Sequence, residues 1–163
     1  MAIAKITVTC RSCGKQFDHR KECRNRSEAD EYESWAENHI DTCPECRRKQ
    51  IADEKSSLLA TALGEYDLHL PDLEGVSEKQ IAYAASVRNR YLSGDIASVK
   101  QYGEGMMQFA DNAYMQEFEK ECTKHGMTAE EGIAYAIKEA GLDTIHFLFT
   151  CKSAREILDR MIR

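Results

Sequence analysis

Two Cys-x-x-Cys pairs, Cys10-Arg11-Ser12-Cys13 and Cys43-Pro44-Glu45-Cys46, constrain this 163-residue chain more than any other feature. Two intervening residues let both sulfurs of a pair face one point, and two such pairs complete a tetrahedral shell of thiolates. Gly14 follows the first pair, so the chain can turn back tightly behind the sulfurs. Pro44 suits the first turn of a helix, where its missing N–H costs nothing. Glu45 sits well beside it, at the positive end of the helix dipole. The second pair is therefore expected at a helix N-terminus, where backbone N–H groups also stabilise thiolates. The spacing predicts one structural zinc ion held by Cys10, Cys13, Cys43 and Cys46. Four thiolates leave no open position on the metal, which excludes hydrolysis there. Cys23, His19 and His39 lie between the pairs, and any one of them can stand in for a ligand.

Around the pairs, residues 3–9 alternate and are rich in β-branched side chains, the pattern of a short strand. Phe17 begins the expected return strand. The gap from Gly14 to Thr42 spans 29 residues, long enough to need an insertion. Ser27 is the expected cap of a helix over 28–39, with Tyr32, Trp35 and Ala36 on one face. A second helix is expected over 50–63. A knuckle on a hairpin followed by a pair at a helix start resembles the treble-clef arrangement. A zinc ribbon with two knuckles is the alternative.

Beyond residue 63 the pattern is helical throughout. Ser77-Glu78-Lys79-Gln80, Thr128-Ala129-Glu130-Glu131 and Ser153-Ala154-Arg155-Glu156 are three capping boxes. They predict helices from 77 to about 92, from 128 to 141, and from 153 to the end. Between the first two, a short helix over 96–102 is expected to break at Gly103 and Gly105, with a longer one over 106–124 stopped by Gly126. Residues 145–150 are short, β-branched and aromatic, ambiguous between a strand and a buried turn. The fold class expected is mainly α (α+β). A zinc domain with a helical insertion occupies 1–63, a connector 64–76 and a helical domain 77–163. The Met106–Met107 pair is expected in the core rather than on an adaptable face.

Seven cysteines, an odd number, fit ligands and core residues better than disulfides. Cys122 and Cys151 read as small buried hydrophobes. Residues 1–9 lack the pattern of a signal peptide, and the longest apolar run, near 145–149, is far too short to span a membrane. The expected compartment is the cytoplasm.

Charge is uneven. Residues 1–50 carry ten Lys/Arg against nine Asp/Glu, and residues 51–163 carry twelve against nineteen. The acidic portion would be repelled by a phosphate backbone. Direct nucleic-acid binding therefore falls to the N-terminal part. Arg11, Lys15, Arg20, Lys21, Arg24 and Arg26 surround the first pair, and Arg47, Arg48 and Lys49 follow the second. His69, His125 and His146 are isolated, and no Walker loop, dinucleotide fingerprint or H-E-x-x-H motif occurs. The expectation is a non-enzymatic protein.

The run 6–26, with its Cys10/Cys13 knuckle and Arg20-Lys21-Glu22-Cys23-Arg24 segment, resembles small uncharacterised zinc proteins of bacterial phages and mobile elements. The segment Glu78-Lys79-Gln80-Ile81-Ala82-Tyr83-Ala84 with Val87-Arg88-Asn89 adds to the likeness. No activity travels with it. It implies a setting among phage accessory proteins, anti-CRISPR-type inhibitors included. The partner expected is then a protein, or a nucleoprotein complex. The other reading is a DNA- or RNA-binding accessory protein that works through the basic zinc domain.

Overall fold

A computed structural model describes residues 1–162. The chain divides into two compact units, Met1–Glu54 and Lys55–Arg163. The division falls inside a helix, so residues 64–76, expected as a connector, belong to the second unit.

In the first unit, β1 (Ala2–Thr9) and β2 (Gln16–Cys23) form an antiparallel hairpin, in register from Ala2↔Cys23 to Thr9↔Gln16. Alternation puts Ala4 and Ile6 inward and Ile3, Lys5 and Thr7 outward. Helix α1 (Arg26–His39) covers the inner face with Ala29 and Ala36, both fully buried. Their small size lets the helix backbone approach the strands closely. Asn25, not Ser27, caps α1, because its side chain accepts from the Glu28 N–H at 2.9 Å. The Glu28 carboxylate in turn accepts from the N–H of Arg24, one residue before the cap. Besides the cysteines Cys10, Cys23 and Cys43, the buried apolar side chains of this unit are Ala4, Ile6, Ala29 and Ala36, with Ala2 and Tyr32 packed against the cluster of Ala4, Cys23 and Ala29. So little apolar area cannot offset the chain entropy of folding a unit this size. Helix α2 (Pro44–Glu65) begins at the second cysteine pair.

The second unit is built from helices. After α2 come α3 (Glu78–Gly94), α4 (Ile96–Ala110), α5 (Asn112–Lys124), α6 (Ala129–Glu139), α7 (Asp143–Thr150) and α8 (Ala154–Met161). Their shared core includes Leu92, Val99, Leu148 and Ile157, all fully buried. Leu68, Leu70 and Leu73 of the 64–76 segment pack against it. The buried Arg88 guanidinium donates from Nη1 to the Pro71 carbonyl at 2.8 Å, fastening that segment to α3.

Two expectations change here. Helix α4 runs through Gly103 and Gly105 and stops at Asp111, whose side chain accepts from the Tyr114 N–H at 2.9 Å and so starts α5. Gly103 is present because the Tyr66 ring lies on it: an added Cβ would stand 2.5 Å from the ring. Residues 145–150 form a helix rather than a strand or turn. Gly141, at φ +69°, ends α6 in the left-handed conformation, and Leu142 N–H returns to the Ile137 carbonyl. The chain then re-enters a helix that buries Ile145, Leu148 and Phe149 at i, i+3, i+4 spacing. The three capping residues Ser77, Thr128 and Ser153 all accept from the third residue of their helices. No helix among the described residues is long and apolar enough to cross a membrane.

Candidate metal centre

The hairpin turn presents the first pair of sulfurs. Cys10 N–H donates to the Lys15 carbonyl and Gly14 N–H to the Cys10 carbonyl, both at 2.8 Å. Closing that loop puts Gly14 at φ +72°, a conformation that costs a residue with a Cβ about 1–2 kcal/mol. The start of α2 presents the second pair. Cys43 occupies the N-cap position: its carbonyl accepts from Arg47 N–H at 2.9 Å and its sulfur from Cys46 N–H at 3.4 Å. A sulfur here replaces the usual Ser or Asp oxygen of an N-cap.

Long-range hydrogen bonds join the two pairs. Cys43 N–H donates to Cys10 Sγ at 3.3 Å, Arg11 N–H to the Asp41 carbonyl at 2.7 Å, and Gln50 Nε2 to Ser12 Oγ at 3.1 Å. The sulfurs of Cys10, Cys13, Cys43 and Cys46 all lie within 4.8 Å of one another. Cys13 Sγ and Cys43 Sγ stand 3.9 Å apart. Tetrahedral zinc with Zn–S bonds of about 2.3 Å separates its sulfurs by about 3.8 Å, so the quartet fits such an ion. Cys10 and Cys43 are buried and Cys13 is exposed.

Without metal, the quartet divides its charge unequally. The Cys43 N–H draws the Cys10 thiol down to about 6, with burial working against it. Cys46 is pushed up to about 12, first by its contacts with the Cys43 and Cys13 thiols and then by burial. Backbone N–H donation thus favours the thiolate at Cys10, while the crowding of sulfurs disfavours it at Cys46, a mutual strain that a shared cation would relieve.

The other residues between the pairs are engaged elsewhere. Cys23 is buried at the far end of β2, opposite Ala2. His19 Nε2 is 2.8 Å from Tyr32 Oη, and His39 Nδ1 is 2.7 Å from the Trp35 carbonyl.

The nine basic residues are all exposed. Arg11 pairs with Asp41, Arg20 with Asp18, and Arg26 with Asp30 and Glu33. Lys21 Nζ stands 4.1 Å over the Tyr32 ring. Adjacent on β2, Arg20 and Lys21 point to opposite faces of the hairpin. Lys15, Arg24, Arg47, Arg48 and Lys49 form no ion pair among the described residues. The partner Asp41 and the tie from Gln50 to Ser12 left no local pattern in the sequence, because each contact closes a long loop. Cys122 and Cys151 are both buried, and Met106 packs against the core while Met107 is 55% exposed.

No protein-family model, curated protein or solved structure matches this chain.

Proposed function

We propose that the first unit is a structural zinc module and that the chain is a non-enzymatic binding protein acting through protein–protein contacts. The convergence of four sulfurs within 4.8 Å of one another carries the reading. Four cysteines suit zinc above harder cations, which prefer oxygen ligands. In the bound state the ion would be held by Cys10, Cys13, Cys43 and Cys46 and would supply folding energy to a unit whose apolar core is small. A closed shell of four thiolates leaves the ion no place for substrate.

The acidic helical portion supports the choice of partner. A surface of that sign can occupy a basic groove that otherwise holds DNA or RNA. Together with the phage-protein likeness, it makes an inhibitor of a host nucleic-acid-handling machine, of anti-CRISPR type, the leading specific form. The test is capture of partners by the zinc-loaded chain from bacterial lysate, with and without nuclease. A protein retained after nuclease treatment is expected. Recovery of nuclease-sensitive material alone would contradict the proposal.

Five exposed cations without an ion pair, Lys15, Arg24, Arg47, Arg48 and Lys49, favour a second reading, direct grip on phosphates by the zinc module. It requires binding that falls steeply with salt and weakens on reversing Arg47 and Arg48.

A further inference from the structure

We propose that the helical unit receives a basic amphipathic helix of a protein partner along α4, with apolar side chains of that helix seated on either side of Met106. The proposal rests on the protein-binding reading above and names the surface and the chemistry of the partner.

Two clefts open beside α4, of about 290 Å³ and about 440 Å³, and Tyr102 and Met106 line both. Phe109, Ile137 and Leu142 form much of the apolar wall of the first, and Leu68, Met107 and Phe149 that of the second. Met107 is 55% exposed, an apolar side chain left at the rim. Unbranched, polarisable methionines adapt their shape to a guest, as binding grooves for helices require. The second unit has no strand among the described residues, only an isolated bridge between Glu74 and Ser153, so strand addition has no sheet edge to use here.

Charge selects the sign of the partner. Glu104 lines the first cleft and Glu65 and Asp67 the second, and no lysine or arginine lines either. Lys100 pairs with Glu65 at 3.0 Å, Tyr66 Oη donates to Glu104, and His69 Nε2 lies 3.3 Å from Asp67. The rim therefore keeps an excess of negative charge around an apolar floor. A helix with leucine-like residues on one stripe and lysine or arginine flanking it complements both features.

The test uses the full zinc-loaded chain and a fluorescein-labelled leucine–lysine amphipathic helix as probe. A peptide of the same composition in non-amphipathic order and a leucine–glutamate helix serve as controls. Anisotropy reports affinity, and methyl NMR of the methionines reports place. The expected result is saturable one-to-one binding of the leucine–lysine helix, with shifts concentrated at Met106 and Met107. Both controls should bind at least about tenfold more weakly. Met107→Lys, at an exposed position, should weaken binding about tenfold or more, and so should Asp67→Lys. Absence of binding, preference for the acidic helix, shifts that spare Met106 and Met107, or indifference to Met107→Lys would each overturn the groove. The broader reading fails separately: a partner captured equally well by Met107→Lys removes the groove alone, whereas capture of no protein at all removes the protein-binding function.

Discussion

The backbone N–H of Cys43 donates to Cys10 Sγ at 3.3 Å, fastening the first turn of α2 to the turn of the hairpin. Two segments more than thirty residues apart thus meet at one sulfur, within a unit whose buried side chains are few and mostly small. The metal is expected to stand in for the missing apolar area. Cys10→Ser or Cys43→Ser should unfold the first unit while the helices of the second survive. Circular dichroism should show partial loss of helix, and amide exchange should locate it in α1 and the start of α2. Residues 47–58 of α2 are all exposed, so a helix of that length without its zinc-capped end is marginal. Unchanged spectra in both variants would refute this dependence.

Gly14 should be sensitive for a torsional reason alone. An added Cβ meets nothing within 4 Å, yet φ is +72°. Gly14→Ala should cost about 1–2 kcal/mol and lower zinc affinity about five- to thirtyfold, while Gly14→Asn should lose less. Chelator competition measures both. Equal affinities for the three proteins would mean that the turn is not held as described.

At Gly103 the cost is steric. Alanine is the better helix former, but its Cβ would come 2.5 Å from the Tyr66 ring. Gly103→Ala should destabilise the second unit by about 1–3 kcal/mol in denaturant unfolding. Gly105→Ala, which meets nothing within 4 Å, should be neutral or stabilising. A reversed order would place Tyr66 elsewhere.

The capping box of α6 should give stability a small acid dependence. Thr128 N–H, and then its hydroxyl, hold the Glu131 carboxyl below its ordinary value. A depressed folded-state value means that the contribution is complete above the unfolded carboxylate range, near pH 4.3. It is then lost as pH falls through the folded value. Thr128→Ala should raise the Glu131 titration midpoint toward the ordinary value, seen by carboxyl NMR. An unmoved midpoint would show that the Thr128 hydroxyl does not contribute to holding the Glu131 carboxylate.

Much of this structure was legible from side-chain chemistry. The quartet followed from two spacings, and the caps at Ser77, Thr128 and Ser153 from three tetrapeptides. The helix over 143–150 was not, because burial of Ile145, Leu148 and Phe149 overrides the strand preference of β-branched and aromatic residues. The unbroken α4 escaped for a similar reason. Gly103 signals a breaker locally, and only Tyr66, 37 positions away, explains it. Asn25 capped α1 two positions before Ser27 because its side chain accepts from the Glu28 N–H while the Glu28 carboxylate accepts from the Arg24 N–H. Pairing of Arg11, Arg20 and Arg26 with acids could not be read from a tally of charges.

Metal content tests the central claim most directly. Native mass spectrometry of the purified chain should find one zinc ion per molecule. Cobalt(II) replacement should give the visible absorption of a tetrahedral thiolate site. Cys10→Ser should lose the ion or bind it far more weakly, and Cys23→Ser should retain it. A chain that binds no zinc, or that holds it equally well without Cys10, would contradict the account.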